Sequence, residues 1–235
     1  MEHSDTASPD TALGADPGVA YDSWFDGRWG RYAFEVEWTA LAQTLGPLHG
    51  AHVLDVGCGT GRVTARLEAA GAQVVGMDRD PRMLELARAR VRGPLLVADA
   101  HQLPFPAEVF DLALAVAVLE FVADPWQVVA EMARVTRRGG RLVIGALNRA
   151  SPWGLAHRAR LGEPPWAPAR FLTRRQLLAL GTGVGRARLR GALFAPGVCP
   201  LLERVGHACE RVGALSPVWG AFQVLVVEVG PCRTG

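Results

Sequence analysis

Between His52 and Leu147, short apolar runs alternate with stretches in which apolar residues recur every three or four positions. His52–Val56, Gln73–Met77, Leu95–Ala98, Asp111–Val118 and Arg141–Leu147 read as strands, and the fourth is apolar enough to be buried on both faces. Val63–Ala70 reads as a helix that Gly71 stops. Asp80-Pro81 supplies an N-cap and a first-turn proline for a helix reaching about Val91. Asp124–Thr136 is a further helix, and Gly139-Gly140 leads into the fifth strand. Alternation at this pitch predicts a Rossmann-like, doubly wound α/β fold, with a mostly parallel seven-stranded sheet and helices on both faces.

The flanks read differently. Residues 1–19 are acidic and rich in Asp, Ser, Pro and Ala, a disordered leader; residues 20–235 form a single domain. Within 20–45, Phe34, Trp38, Leu41, Ala42 and Leu45 fall at helical spacing. Residues 149–172 are an insertion rich in Pro, Trp and Arg. Thr173 and Gln176 form a capping box for a helix over Arg174–Leu180. Gly185–Phe194 alternates, with Arg186, Arg188 and Arg190 on one face of a strand. Residues 200–213 are helical, and Ala221–Val229 closes the sheet.

Composition removes several chemistries. All 25 basic residues are Arg. Without lysine there is no P-loop amine, no Schiff base and no kinase-type phosphate clamp. A single Asn (Asn148) and a single Ile (Ile144) mark the codon bias of a GC-rich genome. Hydrophobic residues at 49% and charged residues at 20% describe a globular chain rather than a disordered one. The net charge of +2 hides an asymmetry: residues 134–190 carry 13 Arg against Glu163 alone. Such a segment faces an anionic small molecule, an anionic membrane surface in peripheral contact, or only solvent. No aromatic pattern resembles an RNA-binding module, and no nucleic-acid partner is expected. No run approaches the roughly 20 apolar residues of a membrane span. Nothing resembles a signal peptide, so a cytoplasmic protein is expected. Four cysteines without paired or zinc-type spacing read as reduced thiols, and no metal site is expected.

The chemistry concentrates at the first turn, Asp55-Val56-Gly57-Cys58-Gly59-Thr60-Gly61. Glycines between a strand and a helix let a ligand approach the backbone. Their spacing departs from the dinucleotide fingerprint, with Arg62 where its last glycine belongs, which argues against an NAD-dependent oxidoreductase. Asp78 ends the second strand, where a carboxylate accepts both ribose hydroxyls. Asp99 ends the third, placed for an exocyclic amine. Three acids at three strand ends beside a glycine turn describe a nucleoside pocket without a phosphate.

These residues resemble the class I S-adenosylmethionine-dependent methyltransferases, of the small-molecule type related to the ubiquinone and menaquinone methyltransferases. VLDVGCGTG resembles their first motif and VVGMDRDPRML their second. DAHQLPFPAEVFD, AVAVLEFVADP and RRGGRLVIGALN resemble the later ones, and YDSWFDGRWGRYAFEVE more loosely resembles the N-terminal lid. The resemblance implies S-adenosyl-L-methionine as cofactor, with Gly57, Cys58, Gly59 and Gly61 around the methionine moiety and Asp55 near its amino group. Asp78 would hold the ribose and Met83 pack on the adenine. Asp99 and Ala100 would read the adenine edge, and Leu119 would close the floor. Tyr21 and Trp24 are candidates to close over the sulfonium, and His101, His157 and Arg158 to face the acceptor. Where family members often carry His, this chain has Glu120, so no catalytic base is carried over. The Asn/Asp-Pro-Pro-aromatic motif of DNA and protein amide methyltransferases is missing.

The function expected is methyl transfer to a small-molecule or lipid-like acceptor with an apolar body, anionic or presented at an anionic membrane. The alternative is a non-catalytic adenosine-ligand-binding protein that retains the fold.

Overall fold

The computed structural model describes residues 17–158, 169–195, 202–213 and 216–230. Helices α1 (Pro17–Trp24) and α2 (Arg28–Leu45) precede β1 (His52–Val56), α3 (Arg62–Ala69), β2 (Gln73–Asp78), α4 (Pro81–Ala87) and β3 (Leu95–Val97). Then come β4 (Phe110–Val116), α5 (Pro125–Val135) and β5 (Thr136–Leu147), followed by α6 (Pro152–Arg158), α7 (Arg174–Thr182), β6 (Gly185–Ala192), α8 (Leu202–Gly213) and β7 (Phe222–Val229).

The seven strands form one sheet in the order β3-β2-β1-β4-β5-β7-β6. It is parallel from β3 through β5, and β7 runs antiparallel to both of its neighbours. This is the expected Rossmann-like arrangement, with an antiparallel hairpin at one edge. Neighbouring residues on a central strand bury opposite faces: Val53 and Leu54 both have 0% exposure, each in a different core. Leu54, Met132, Ile144 and Leu225 belong to one core, Val53, Leu41, Leu112 and Val224 to the other. The outer strand β6 presents Arg186, Arg188 and Arg190 to solvent, which blunts an otherwise pairable edge.

Local signals act as expected at the caps. The Asp80 carboxylate accepts from the Arg82 amide at 3.0 Å, and Asp124 accepts from those of Trp126 and Gln127. The capping box of Thr173 and Gln176 is formed in full.

Boundaries depart at three places. α1 begins at Pro17, inside the segment read as leader, because its aromatic residues have a cavity to cover; residues 1–16 lie outside the described residues. α4 stops at Ala87 rather than near Val91, where the chain tightens into a turn in which the Ala89 and Arg90 amides bond three residues back, to the Leu86 and Ala87 carbonyls; the Arg90 guanidinium donates to the Thr60 carbonyl at 3.0 Å. β5 starts at Thr136 rather than Arg141, and a register shift between Phe110 and Leu112 absorbs the glycine pair. The insertion contains α6, and residues 159–168, with Arg160 and Trp166, lie outside the described residues. No helix among the described residues is long and apolar enough to cross a membrane.

Candidate functional site

β1 delivers Asp55 to the carboxyl edge of the sheet, and the chain turns through Gly57–Gly61 into α3. Gly57, Gly59 and Gly61 all have positive φ, at 69°, 53° and 78°. Their surroundings differ. A Cβ on Gly57 would lie 2.5 Å from Val118, and one on Gly61 would lie 2.6 Å from Val91, whereas one on Gly59 would meet nothing. Gly57 and Gly61 are therefore required by the fold, and Gly59 leaves an open face toward the cavity.

The acids at the strand ends hold this turn. Asp78 accepts from the Gly59 amide at 2.9 Å with one oxygen and from the Asp80 amide at 3.0 Å with the other. Each oxygen keeps a lone pair for a further donor. Asp55 is 2% exposed and accepts from the Thr64 hydroxyl at 2.6 Å. Burial pushes its carboxyl up to about 6, against the Thr64 hydrogen bond and with help from the Asp78 charge. Burial, then Asp55 and Asp78, also push the Cys58 thiol far up, which keeps it protonated.

Asp55, Gly57, Cys58 and Gly59 share one cavity with Tyr21 and Trp24. Met83 and Ala100, both half-buried, and the exposed Asp99 stand outside its wall, on α4 and just beyond β3. Asp99 accepts from the His101 amide at 2.9 Å and pairs with its ring at 2.7 Å. These contacts lower the carboxyl, with the amide first among the causes. The other ring nitrogen accepts from the Asp124 amide at 3.2 Å, so in the neutral ring Nδ1 carries the proton. His101 thus ties the end of β3 to the start of α5. Leu119 is buried and lines a second groove with Arg149, Arg170 and Phe171. His157 and Arg158 belong to α6, but their side chains lie outside the described residues.

α1 lies across the cavity by means of an ionic clasp. Asp22 accepts from Arg62 Nε at 2.8 Å, from Arg62 Nη2 at 3.1 Å, from the Thr60 hydroxyl at 2.6 Å and from Arg90. Desolvation would raise this carboxyl, but the hydrogen bonds from Arg62, Thr60 and Arg90 outweigh it and hold the group below its ordinary range. Phe25 stands edge-on to Tyr21, Trp24 and Phe34, with ring centroids 5.0–5.7 Å apart.

Two acids escape a motif-based reading. Glu37 lines the cavity from α2, on the helix face that carries Phe34, Trp38 and Leu41. An acid on an apolar stripe is the signal that could have found it. Glu120, marked beforehand only as a departure from the family, is 1% exposed. Its Oε1 accepts from the Leu147 amide at 2.6 Å, and its Oε2 has no hydrogen-bond partner among the described residues.

Fold and site together define a Rossmann-like domain whose glycine turn and strand-end acids border an aromatic cavity. A family model described as a methyltransferase domain matches residues 54–144. An uncharacterized protein of Mycobacterium tuberculosis is 36% identical over 177 residues, covering 74% of this chain and 59% of the relative. A demethylmenaquinone methyltransferase of Tropheryma whipplei is 40% identical over 108 residues, 45% of each chain. A solved structure from Thermotoga maritima, a SAM-dependent methyltransferase and "possible histamine N-methyltransferase", superposes with a TM-score of 0.71 at 27% identity, over 88% of this chain and 93% of that one. The chain carries a methyltransferase domain over residues 54–144, and the family of that domain and its solved neighbour imply S-adenosylmethionine as cofactor. It spans 59% of the length of the mycobacterial relative.

Proposed function

We propose that the chain transfers the methyl group of S-adenosylmethionine to a small-molecule acceptor. The observation that carries this reading is the open face at Gly59, with Asp55 and Asp78 beside it and an aromatic cavity in front. The residues fit the cofactor: Asp78 keeps free lone pairs for two ribose hydroxyls, and Asp55 is a buried acid suited to an ammonium group. Gly57, Cys58 and Gly59 would border the methionine moiety and Gly61 would shape the turn. Met83 would pack on the adenine, Asp99 and Ala100 would meet its edge, and Leu119 would form the floor.

When bound, the cofactor supplies an electrophilic methyl group on a cationic sulfur. Tyr21 and Trp24 would close over that end, where aromatic faces favour a cation and exclude water. In-line attack asks mainly for alignment and desolvation.

Calorimetry tests the reading. Asp78→Ala should weaken cofactor binding by about 2–4 kcal/mol; an unchanged dissociation constant in the folded variant would end the ribose assignment. Incubation with labelled S-adenosylmethionine and candidate acceptors should release S-adenosylhomocysteine. Binding without release across the panel would favour a non-catalytic adenosine-ligand-binding protein.

A second reading of the acceptor, anionic or presented at an anionic membrane, keeps one observation: Arg149 and Arg170 flank the groove lined by Leu119, Val122 and Phe171. Part of the basic segment is paired with acids, Arg134 with Glu131, Arg137 with Asp111 and Arg138 with Glu108. Binding to anionic vesicles at low salt, lost in an Arg149→Gln/Arg170→Gln variant, is the outcome this reading requires.

A further inference from the structure

Methyl transfer as described leaves Glu37 and Glu120 unused. Glu37 lines the aromatic cavity from α2. Glu120 follows β4 and is joined through its Oε1 to the amide of Leu147, which lines the same cavity. Its Oε2 is buried without a donor among the described residues. A carboxylate oxygen in that position is completed either by a proton or by a cation. The charged and titratable groups around the cavity are mostly acids or their neighbours: Tyr21 and Asp22 on α1, Asp55 on β1 and Asp78 on β2. Among the described residues the one base lining it, Arg62 of α3, is already paired with Asp22 and Asp26. The rest of the wall is largely aromatic, and ring faces also favour a cation.

We infer that Glu37 and Glu120 form one acceptor-recognition site, a carboxylate pair that takes the protonated nitrogen of an amine with an apolar body. This rests on the methyl-transfer reading and names its substrate class. The pair's protonation supports it. Burial pushes Glu120 up to about 7, and burial together with the Glu120 charge pushes Glu37 up to about 8. Near neutrality the empty pair therefore holds protons, and an entering ammonium group displaces them. Amine affinity should rise from pH 6 to pH 9, a range in which an aliphatic amine stays charged on the order of pKa 10.

The test compares 2-phenylethylamine, 2-phenylethanol and phenylacetate at millimolar concentration, by calorimetry with S-adenosylhomocysteine bound. The amine is expected to bind at least about tenfold more tightly than the alcohol, with phenylacetate weakest. Measured in buffers of different ionisation enthalpy, the wild-type protein should release protons on binding amine and none on binding alcohol. Glu37→Gln and Glu120→Gln should each erase the amine preference. The proton readout needs no variant, so it stands even if one of these fails to fold. Equal binding of amine and alcohol, no amine binding, a preference for phenylacetate, or no proton release overturns the inference. A changed ratio of S-adenosylmethionine to S-adenosylhomocysteine affinity in the variants, with amine binding intact, also overturns it, because the pair would then serve the sulfonium. Failure of both cofactor forms to bind wild type would instead remove the methyl-transfer reading itself.

Discussion

Replacing Asp22 with Ala should release α1 from the cavity while leaving the sheet intact. The Asp22 side chain is 16% exposed, and its partners Arg62 and Arg90 are 22% and 32% exposed, so solvent screens the clasp only in part. Charge-assisted hydrogen bonds of this kind contribute about 1.5–3 kcal/mol each when intact. They share one carboxylate and do not add, and Arg62 retains Asp26 at 3.3 Å and the Asp22 carbonyl at 3.0 Å. A net loss of about 2–3 kcal/mol is therefore expected, equivalent to an opening equilibrium raised about 30- to 150-fold. Native-state hydrogen exchange reads it directly. The amides of Phe25, Asp26 and Gly27, which bond to carbonyls of α1, should lose protection by that factor, while those of β4 and β5 keep theirs.

The effect carries a pH signature. Because the Asp22 carboxyl is depressed in the folded protein, its stabilisation is fully present above the unfolded value of about 3.8 and is lost as pH falls through the lower folded value. Wild type and variant should converge only in that acid range. Equal exchange at neutral pH in a folded Asp22→Ala protein would refute the clasp.

Three further substitutions separate fold from site. Asp55 has the opposite sign from Asp22: its raised carboxyl costs the folded protein stability as pH climbs from about 4 through about 6. Asp55→Asn should therefore gain up to about 2 kcal/mol of ligand-free stability at pH 8 relative to its effect at pH 4, and urea titration showing no such difference would contradict the burial argument. Gly59→Ala should cost only about 1–2 kcal/mol, the left-handed backbone penalty, yet lower cofactor affinity; Gly57→Ala should cost about 1–3 kcal/mol more through collision with Val118. Intact cofactor affinity in Gly59→Ala would mean that the open face is not where the ligand lies.

How far each feature could be read from sequence follows the range of the interaction behind it. The order of strands and helices was legible because apolar periodicity and caps such as Asp80, Asp124 and Thr173 act within a few residues of themselves. The glycine turn and the strand-end acids were legible for the same reason, although their roles toward a cofactor came only by resemblance. What escaped is what chain folding brings together from a distance. Asp22 reads as one acid in an acidic N-terminal stretch until α1 meets Arg62 and Arg90. His101 reads as a loop histidine until Asp99 and Asp124 occupy its two nitrogens.

The basic segment misleads in the opposite direction. Its composition suggests an anionic partner, yet Arg134, Arg137 and Arg138 face acids from the acidic first half of the chain, so part of the asymmetry cancels in space. The cavity wall inverts the sequence-level sign altogether. Glu37 and Glu120 are far apart in the chain, one at the end of YDSWFDGRWGRYAFEVE and one inside AVAVLEFVADP, and neither segment assigns its acid a role. α2 brings Glu37 into the wall of the aromatic cavity, and the segment after β4 holds Glu120 against Leu147 of that wall; among the described residues the one base lining it, Arg62, is already paired. Net charge along a sequence sets long-range attraction, whereas acceptor selection is made by the few groups that lose their water inside the cavity. On that ground Glu37 and Glu120, not the exposed arginines, should decide which acceptor is methylated.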